Sequence, residues 1–204
     1  MSRLTKLALG TLVLGILAWT GGSLYVMRGV TTPRFDTLAV TNDYELRRYP
    51  QLVVAEVARE GAADGDENAL FPVLANFIFG GNEGSQQIAM TAPVLMDPVE
   101  RGERDSTSMR FIMPESFTLE TLPAPTDQRV KVREVPSRTV AARVFHWFAS
   151  DATREAELLA LKKALERDGV KTVGKANYAA YQPPFAIPFM KKYEMQIEVA
   201  VDSG

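Results

Sequence analysis

The chain has no cysteine and a single histidine, His146. The first absence excludes a disulfide framework, a thiolate nucleophile and any cysteine-held metal. The second excludes a site that needs two imidazoles from one chain, and leaves any Ser-His-Asp mechanism with His146 alone. No serine stands in a G-x-S-x-G elbow: Ser106 and Ser108 lie in a turn-rich stretch, and Ser137 follows Pro136. Glu194 and Glu198 share one strand face, but at about 3.3 Å per residue they stand about 13 Å apart, too far for a glycosidase pair. An enzyme would need Glu56, Glu194 or His146 gathered in one cleft. The reading is therefore a binding protein and not an enzyme. Basic residues are also missing from one long stretch, with no Lys or Arg between Arg59 and Arg101.

What is present begins with an apolar segment. Arg3 and Lys6 precede an uncharged run of 21 residues, Leu7–Met27, which Arg28 closes. As a helix it can cross about 30 Å of hydrocarbon. Gly10, Gly15, Gly21 and Gly22 would weaken a soluble helix but are tolerated in a membrane. The expectation is a transmembrane anchor or signal segment over residues 1–30, with a cleaved signal peptide as the alternative. The balance of positive charge favours an inside N-terminus. The domain would then face outward, into the periplasm if the source is a Gram-negative bacterium. This segment holds three of the 23 basic residues and none of the 25 acidic ones, leaving 20 against 25, net −5, for the rest. An acidic domain argues against nucleic acid as a partner.

After a linker over residues 31–43, one domain is expected over residues 44–204, because 204 residues at 46% apolar suffice for one core. Two stretches look alike at an offset of 86: Tyr44–Ala58 and Val130–Val144 match at Arg47/Arg133, Pro50/Pro136, Val54/Val140 and Ala55/Ala141. Each reads as a short strand, a proline break and a second apolar strand. A helix follows each copy. In the first, capped by Asp66 or Asn68, Leu70, Leu74, Phe77 and Ile78 share one face and Gly80-Gly81 ends it. In the second, capped by Ser150 or Asp151, Leu158, Leu161 and Leu165 form the stripe and Gly169 stops it. Gln87–Met96 and Thr107–Met113 read as a hairpin. Tyr193–Val201 alternates as a half-buried strand, with Glu194, Gln196 and Glu198 toward solvent. The fold class is α+β: a curved antiparallel sheet closed from two pseudo-repeats, flanked by two α-helices and preceded by the N-terminal apolar helix.

Several motifs in this order resemble the SOUL/haem-binding protein family: YELRRYP at Tyr44–Pro50, FIFGGN at Phe77–Asn82, IAMTAPV at Ile88–Val94, PAPTDQRVKV at Pro123–Val132 and YQPPFAIPFMKKYEMQIEV at Tyr181–Val199. The resemblance covers nearly all of the chain after the apolar segment. It implies a distorted β-barrel with two helices and a role in binding haem or another tetrapyrrole, which the apolar segment would tether to a membrane. Basic residues expected on the first helix of such proteins are absent here. Propionate partners would have to come from Arg47, Arg48, Lys191 or Lys192. His146 is the candidate iron ligand; Met90, Tyr178 and Tyr181 are weaker ones. The ligand surface is expected between the first helix and the closing loop, from Phe71, Leu74, Ile78, Met90, Tyr181 and Phe185, because the helix carries more apolar side chains than one core stripe can hide. The duplicated layout is also similar to GyrI-like effector-binding domains, which take other amphipathic small molecules.

Overall fold

Alternating and β-branched runs separated by proline or polar turns give strands, and nine of them form one antiparallel sheet. The structure, a computed structural model, describes residues 29–60, 69–97, 106–183 and 186–200. The strands are β1 (Asp36–Val40), β2 (Glu45–Tyr49), β3 (Leu52–Glu60), β4 (Val94–Met96), β5 (Ser106–Ile112), β6 (Lys131–Val135), β7 (Arg138–His146), β8 (Thr172–Ala180) and β9 (Lys192–Val199). Their order is β1-β2-β7-β9-β8-β4-β5-β3-β6. The sheet curls into a half-barrel. The two proline turns lie side by side, with Tyr49 opposite Arg138 and Leu52 opposite Val135, and the Ser137 hydroxyl donates to the Tyr49 carbonyl at 2.9 Å.

Helix α1 (Phe71–Ile78) packs on β3 and β5, and α2 (Asp151–Arg167) on β7, β8 and β9. The strand period of two sorts every side chain onto one of two faces. Toward the helices point Val53, Ala55 and Val57 of β3 and Tyr193, Met195 and Ile197 of β9, in the main core with Leu74, Phe77, Ile78, Leu161 and Leu165. Away from them point Leu52, Val54, Leu95, Ile112 and Val140, which form a smaller second core.

The expected caps of the second helix hold. Ser150 Oγ accepts from the Thr153 N–H at 3.2 Å, and Gly169 turns the chain at φ +67°. The first helix departs from expectation. It starts at Leu70, which offers no side-chain cap, with Pro72 in its first turn. Asp66 and Asn68 lie outside the described residues. At its other end Gly80 takes φ +111°, and a Cβ on Gly81 would stand 2.7 Å from the Asn76 carbonyl oxygen. Asn82, buried, donates to the Phe77 and Gln86 carbonyls at 2.7 and 2.8 Å. FIFGGN is thus a helix stop.

Two strand expectations need correction. Gln87–Met96 is a strand only over Val94–Met96. The Thr91 hydroxyl donates to the Ile112 carbonyl, and Pro93 brings no N–H to a ladder. Strand β9 is not half-solvated: Glu194 and Gln196 are buried as fully as their apolar neighbours, because the curled sheet closes over that face. The described helices include none long and apolar enough to cross a membrane, and the run Leu7–Met27 lies outside the described residues.

Candidate functional site

A cleft of about 260 Å³ opens on the helix side of the sheet, above the seam where β4 pairs with β8. Its floor is Val94 and Met96 of β4 with Tyr178 and Ala180 of β8. Phe71 of α1 forms one wall, set edge-on to Phe111 at 5.4 Å between ring centres. Arg154 of α2 and Tyr193 form the opposite wall, with Tyr181, Gln182, Pro183 and Lys191 of the closing loop. Met90, Met96 and Met109 bring thioethers, soft and adaptable groups that fit themselves to an apolar surface. Tyr178 stacks on Tyr193 at 5.5 Å, and the Arg154 guanidinium lies 4.2 Å from the centre of the Tyr178 ring.

The expected ligand surface divides under this geometry. Phe71, Met90, Tyr181 and Lys191 line the cleft. Leu74 and Ile78 do not; they are sealed in the main core, because α1 has only eight residues and the sheet takes its central side chains. Phe185 lies outside the described residues.

The expected propionate partners divide as well. Arg47 Nη1 holds both oxygens of Glu194 at 3.0 Å, and Lys192 Nζ stands 2.9 Å from one of them. Both cations are engaged by a carboxylate that is 0% exposed. Burial alone would push that carboxyl up; Arg47 and then Lys192 outweigh it and hold it below the usual range. Arg48 is exposed on β2, beside a shallow depression with Phe35 and Tyr49, away from the cleft. Lys191 remains at the cleft, and Arg154 joins it. Sequence reasoning missed Arg154, although a signal existed: it falls four residues before Leu158, on the apolar stripe of α2.

His146 is exposed, with Nδ1 3.3 Å from the Lys191 carbonyl oxygen, and it does not line the cleft. Its imidazole is therefore not positioned as a ligand there. No three His, Asp or Glu residues group as a metal site among the described residues. Tyr181 turns its ring to the cleft and its hydroxyl to Glu194, donating to Oε2 at 2.9 Å. Burial first, and the Glu194 charge next, push its phenol far above the ordinary value, so a tyrosinate is unfavourable there. Nor do Glu56, Glu194 and His146 form one catalytic group. Glu56 accepts from Arg133 at 2.8 Å, and each of the three has a separate set of partners.

These residues fit a tetrapyrrole through its apolar rim and one carboxylate edge. They offer its metal thioethers and the Tyr178 and Tyr193 phenols, and no imidazole. A cleft just under the about 300 Å³ where ligand-sized pockets begin would take part of a macrocycle and leave the rest at the mouth.

Fold and cleft together define a class: an α+β half-barrel with a small apolar cleft at its seam. The family model described as SOUL heme-binding protein matches residues 30–198, and the chain belongs to that family. Mouse heme-binding protein 2 is 28% identical over 148 residues, spanning 71% of this chain and 72% of that protein. Human heme-binding protein 2 is 30% identical over 146 residues, spanning 69% and 71%. Among solved structures, a protein described as a hydrolase from Listeria innocua shares the fold at TM-score 0.54 and 15% identity, over 80% of this chain and 94% of its own. The EcmrR C-terminal domain does so at TM-score 0.56 and 12% identity, over 77% and 98%.

Proposed function

We propose that the protein binds haem or a related tetrapyrrole in the cleft between α1 and the closing loop, as a carrier, buffer or sensor. The domain is held outside the cytoplasmic membrane by the N-terminal apolar segment, or is released to the periplasm if that segment is cleaved. The observation that carries the reading is an apolar, aromatic and thioether-lined cleft with Arg154 and Lys191 beside it. Flat apolar rings suit such walls, and a propionate suits a guanidinium. Membership of the family, and the names of its mouse and human relatives, support haem as the ligand. The order of strands β2 to β9 also supports two pseudo-repeats, since, with β1 set aside, it reads the same in reverse when β2 to β5 exchange with β6 to β9.

A titration of the full chain in detergent with haemin and with metal-free protoporphyrin tests it. Both should saturate near one equivalent with affinities within about tenfold, because contact with the ring and not the iron supplies most of the binding. Ala180→Trp, which fills the cleft floor, should abolish both while circular dichroism stays native. Undiminished binding by that variant would move the site elsewhere. The absence of an imidazole from the cleft favours one alternative, a GyrI-like role for another amphipathic molecule. Stabilisation by lipophilic cations or quinones, with none from tetrapyrroles, would establish it.

A further inference from the structure

An apolar ligand is scarce in water and concentrated in lipid, so the direction in which the cleft opens matters. Three features meet at its rim. The chain enters the domain there: Val30 lines the cleft, and the Thr31 carbonyl accepts from the Ala92 N–H at 2.8 Å. The uncharged run ends at Met27. The three residues from Met27 to Val30 can span at most about 11 Å when fully extended. The headgroup layer of one leaflet is about 5–7 Å thick. A cleft wall tied that closely to a span lies within or just above the headgroups.

The second feature is a set of exposed aromatic residues on segments that adjoin the cleft wall. Trp147, Phe148 and Phe189 are 59%, 66% and 56% exposed. The Trp147-Phe148 pair is held at both ends by residues of the cleft wall. His146 before it lies against the Lys191 carbonyl, and the Ala149 carbonyl after it accepts from Arg154 Nε at 3.0 Å. Phe189 stands in the 3-10 turn Pro188–Met190, directly before Lys191.

The third is backbone conformation. Trp147 has φ +79°, in the left-handed region that a residue with a Cβ seldom occupies. The strained position carries an indole turned largely to solvent, where the fold gains little from it. Tryptophan and phenylalanine gain at the bilayer interface instead.

We infer that the mouth of the cleft faces the bilayer, with Trp147, Phe148 and Phe189 seated among the headgroups, and that the ligand passes between lipid and cleft without crossing bulk water. The inference rests on the membrane-tethered reading above. Two tryptophans occur in the chain, so Trp19→Phe leaves Trp147 as the sole reporter. The full-length variant goes into phosphatidylcholine vesicles with acyl chains brominated near the headgroup. Trp147 emission should fall by about half or more relative to unbrominated vesicles. The paired change Phe148→Asp and Phe189→Asp, on residues outside the cleft, should slow haemin transfer from vesicles by about tenfold and leave affinity in detergent unchanged. Flotation of the protein with the vesicles reports the tether separately. Protein that floats with Trp147 unquenched keeps the tether and overturns the inference, as does wild-type transfer by the paired variant. Protein that does not float removes the tether and the inference together.

Discussion

Neighbouring residues of β8 end in opposite chemistry. Tyr178 stacks on Tyr193 beside the cleft, and Asn177 accepts from Arg110 at 2.8 Å on the other face of the sheet. The same alternation runs through β9, where Tyr193 faces the cleft and Glu194 lies in the ion cluster. On the closed face carboxylates answer the cations within the protein: Arg47 by Glu194 and Glu45, Lys192 by Glu194, and Arg110 by Asp97. On the cleft face, Arg154 donates to the Ala149 carbonyl at 3.0 Å and stands 4.0 Å from Asp151, and it also lies over a ring with its guanidinium at the wall of a cavity. The comparison teaches that proximity to the closing loop does not decide which cation borders the cleft. The face of the sheet on which it falls decides that.

The largest expected effect comes from breaking the closed face. Glu194→Gln leaves Arg47 and Lys192 without their carboxylate, and loss of one partner of a buried pair costs about 3–5 kcal/mol. Urea unfolding should show it as a lower midpoint with unchanged slope. Met96→Leu on the cleft face, a swap of similar volume, should cost less than about 1.5 kcal/mol. Equal losses would erase the distinction between the faces. Acid tests the same cluster. Because the Glu194 carboxyl is held below its usual range, its contribution is fully present above the ordinary glutamate value of about 4.3. It is lost as pH falls through the lowered folded value. Thermal midpoints of the wild type should drop in that window, and Glu194→Gln should flatten the drop.

A smaller effect is expected at the cleft. Arg154→Met keeps the apolar stem and removes the charge. A hydrogen bond to a charged group contributes about 1.5–3 kcal/mol, so haemin affinity should fall about 10- to 100-fold. The dimethyl ester of protoporphyrin, which has no carboxylate, should bind wild type and variant alike. An ester that loses as much as haemin would show that Arg154 only supports the Tyr178 ring.

Much of this was readable from residues. Ser150 and Gly169 mark the ends of α2 because capping is local chemistry, and the turns from β2 into β3 and from β6 into β7 declare themselves through Pro50 and Pro136. Alternation correctly grouped Glu194 with Gln196 on one face of β9, but a period of two does not say whether the sheet curls to cover that face. Arg47 and Glu194 are 147 residues apart, so their pairing depends on β2, β7 and β9 lying side by side, which no local pattern records. The excess of apolar groups around α1 was real. Its short length sends Leu74, Phe77 and Ile78 to the core, leaves Phe71 to the cleft and exposes Phe79.

The smallest expected effect falls on a side chain that touches both faces. The Tyr181 ring lines the cleft while its hydroxyl reaches Glu194. Its raised phenol stays protonated across working pH and acts there only as a donor. Tyr181→Phe removes that donor and keeps the ring. Glu194 retains Arg47, Lys192 and Gln196, so the loss should lie near the low end for a hydrogen bond, about 1 kcal/mol of stability. Haemin affinity should stay within about twofold, because the surface presented to the ligand is unchanged. The opposite pattern, native stability with affinity down about tenfold, would mean that the hydroxyl serves the ligand and that the ion cluster is part of the binding site. Measuring both quantities on this single variant therefore decides whether the two faces act independently.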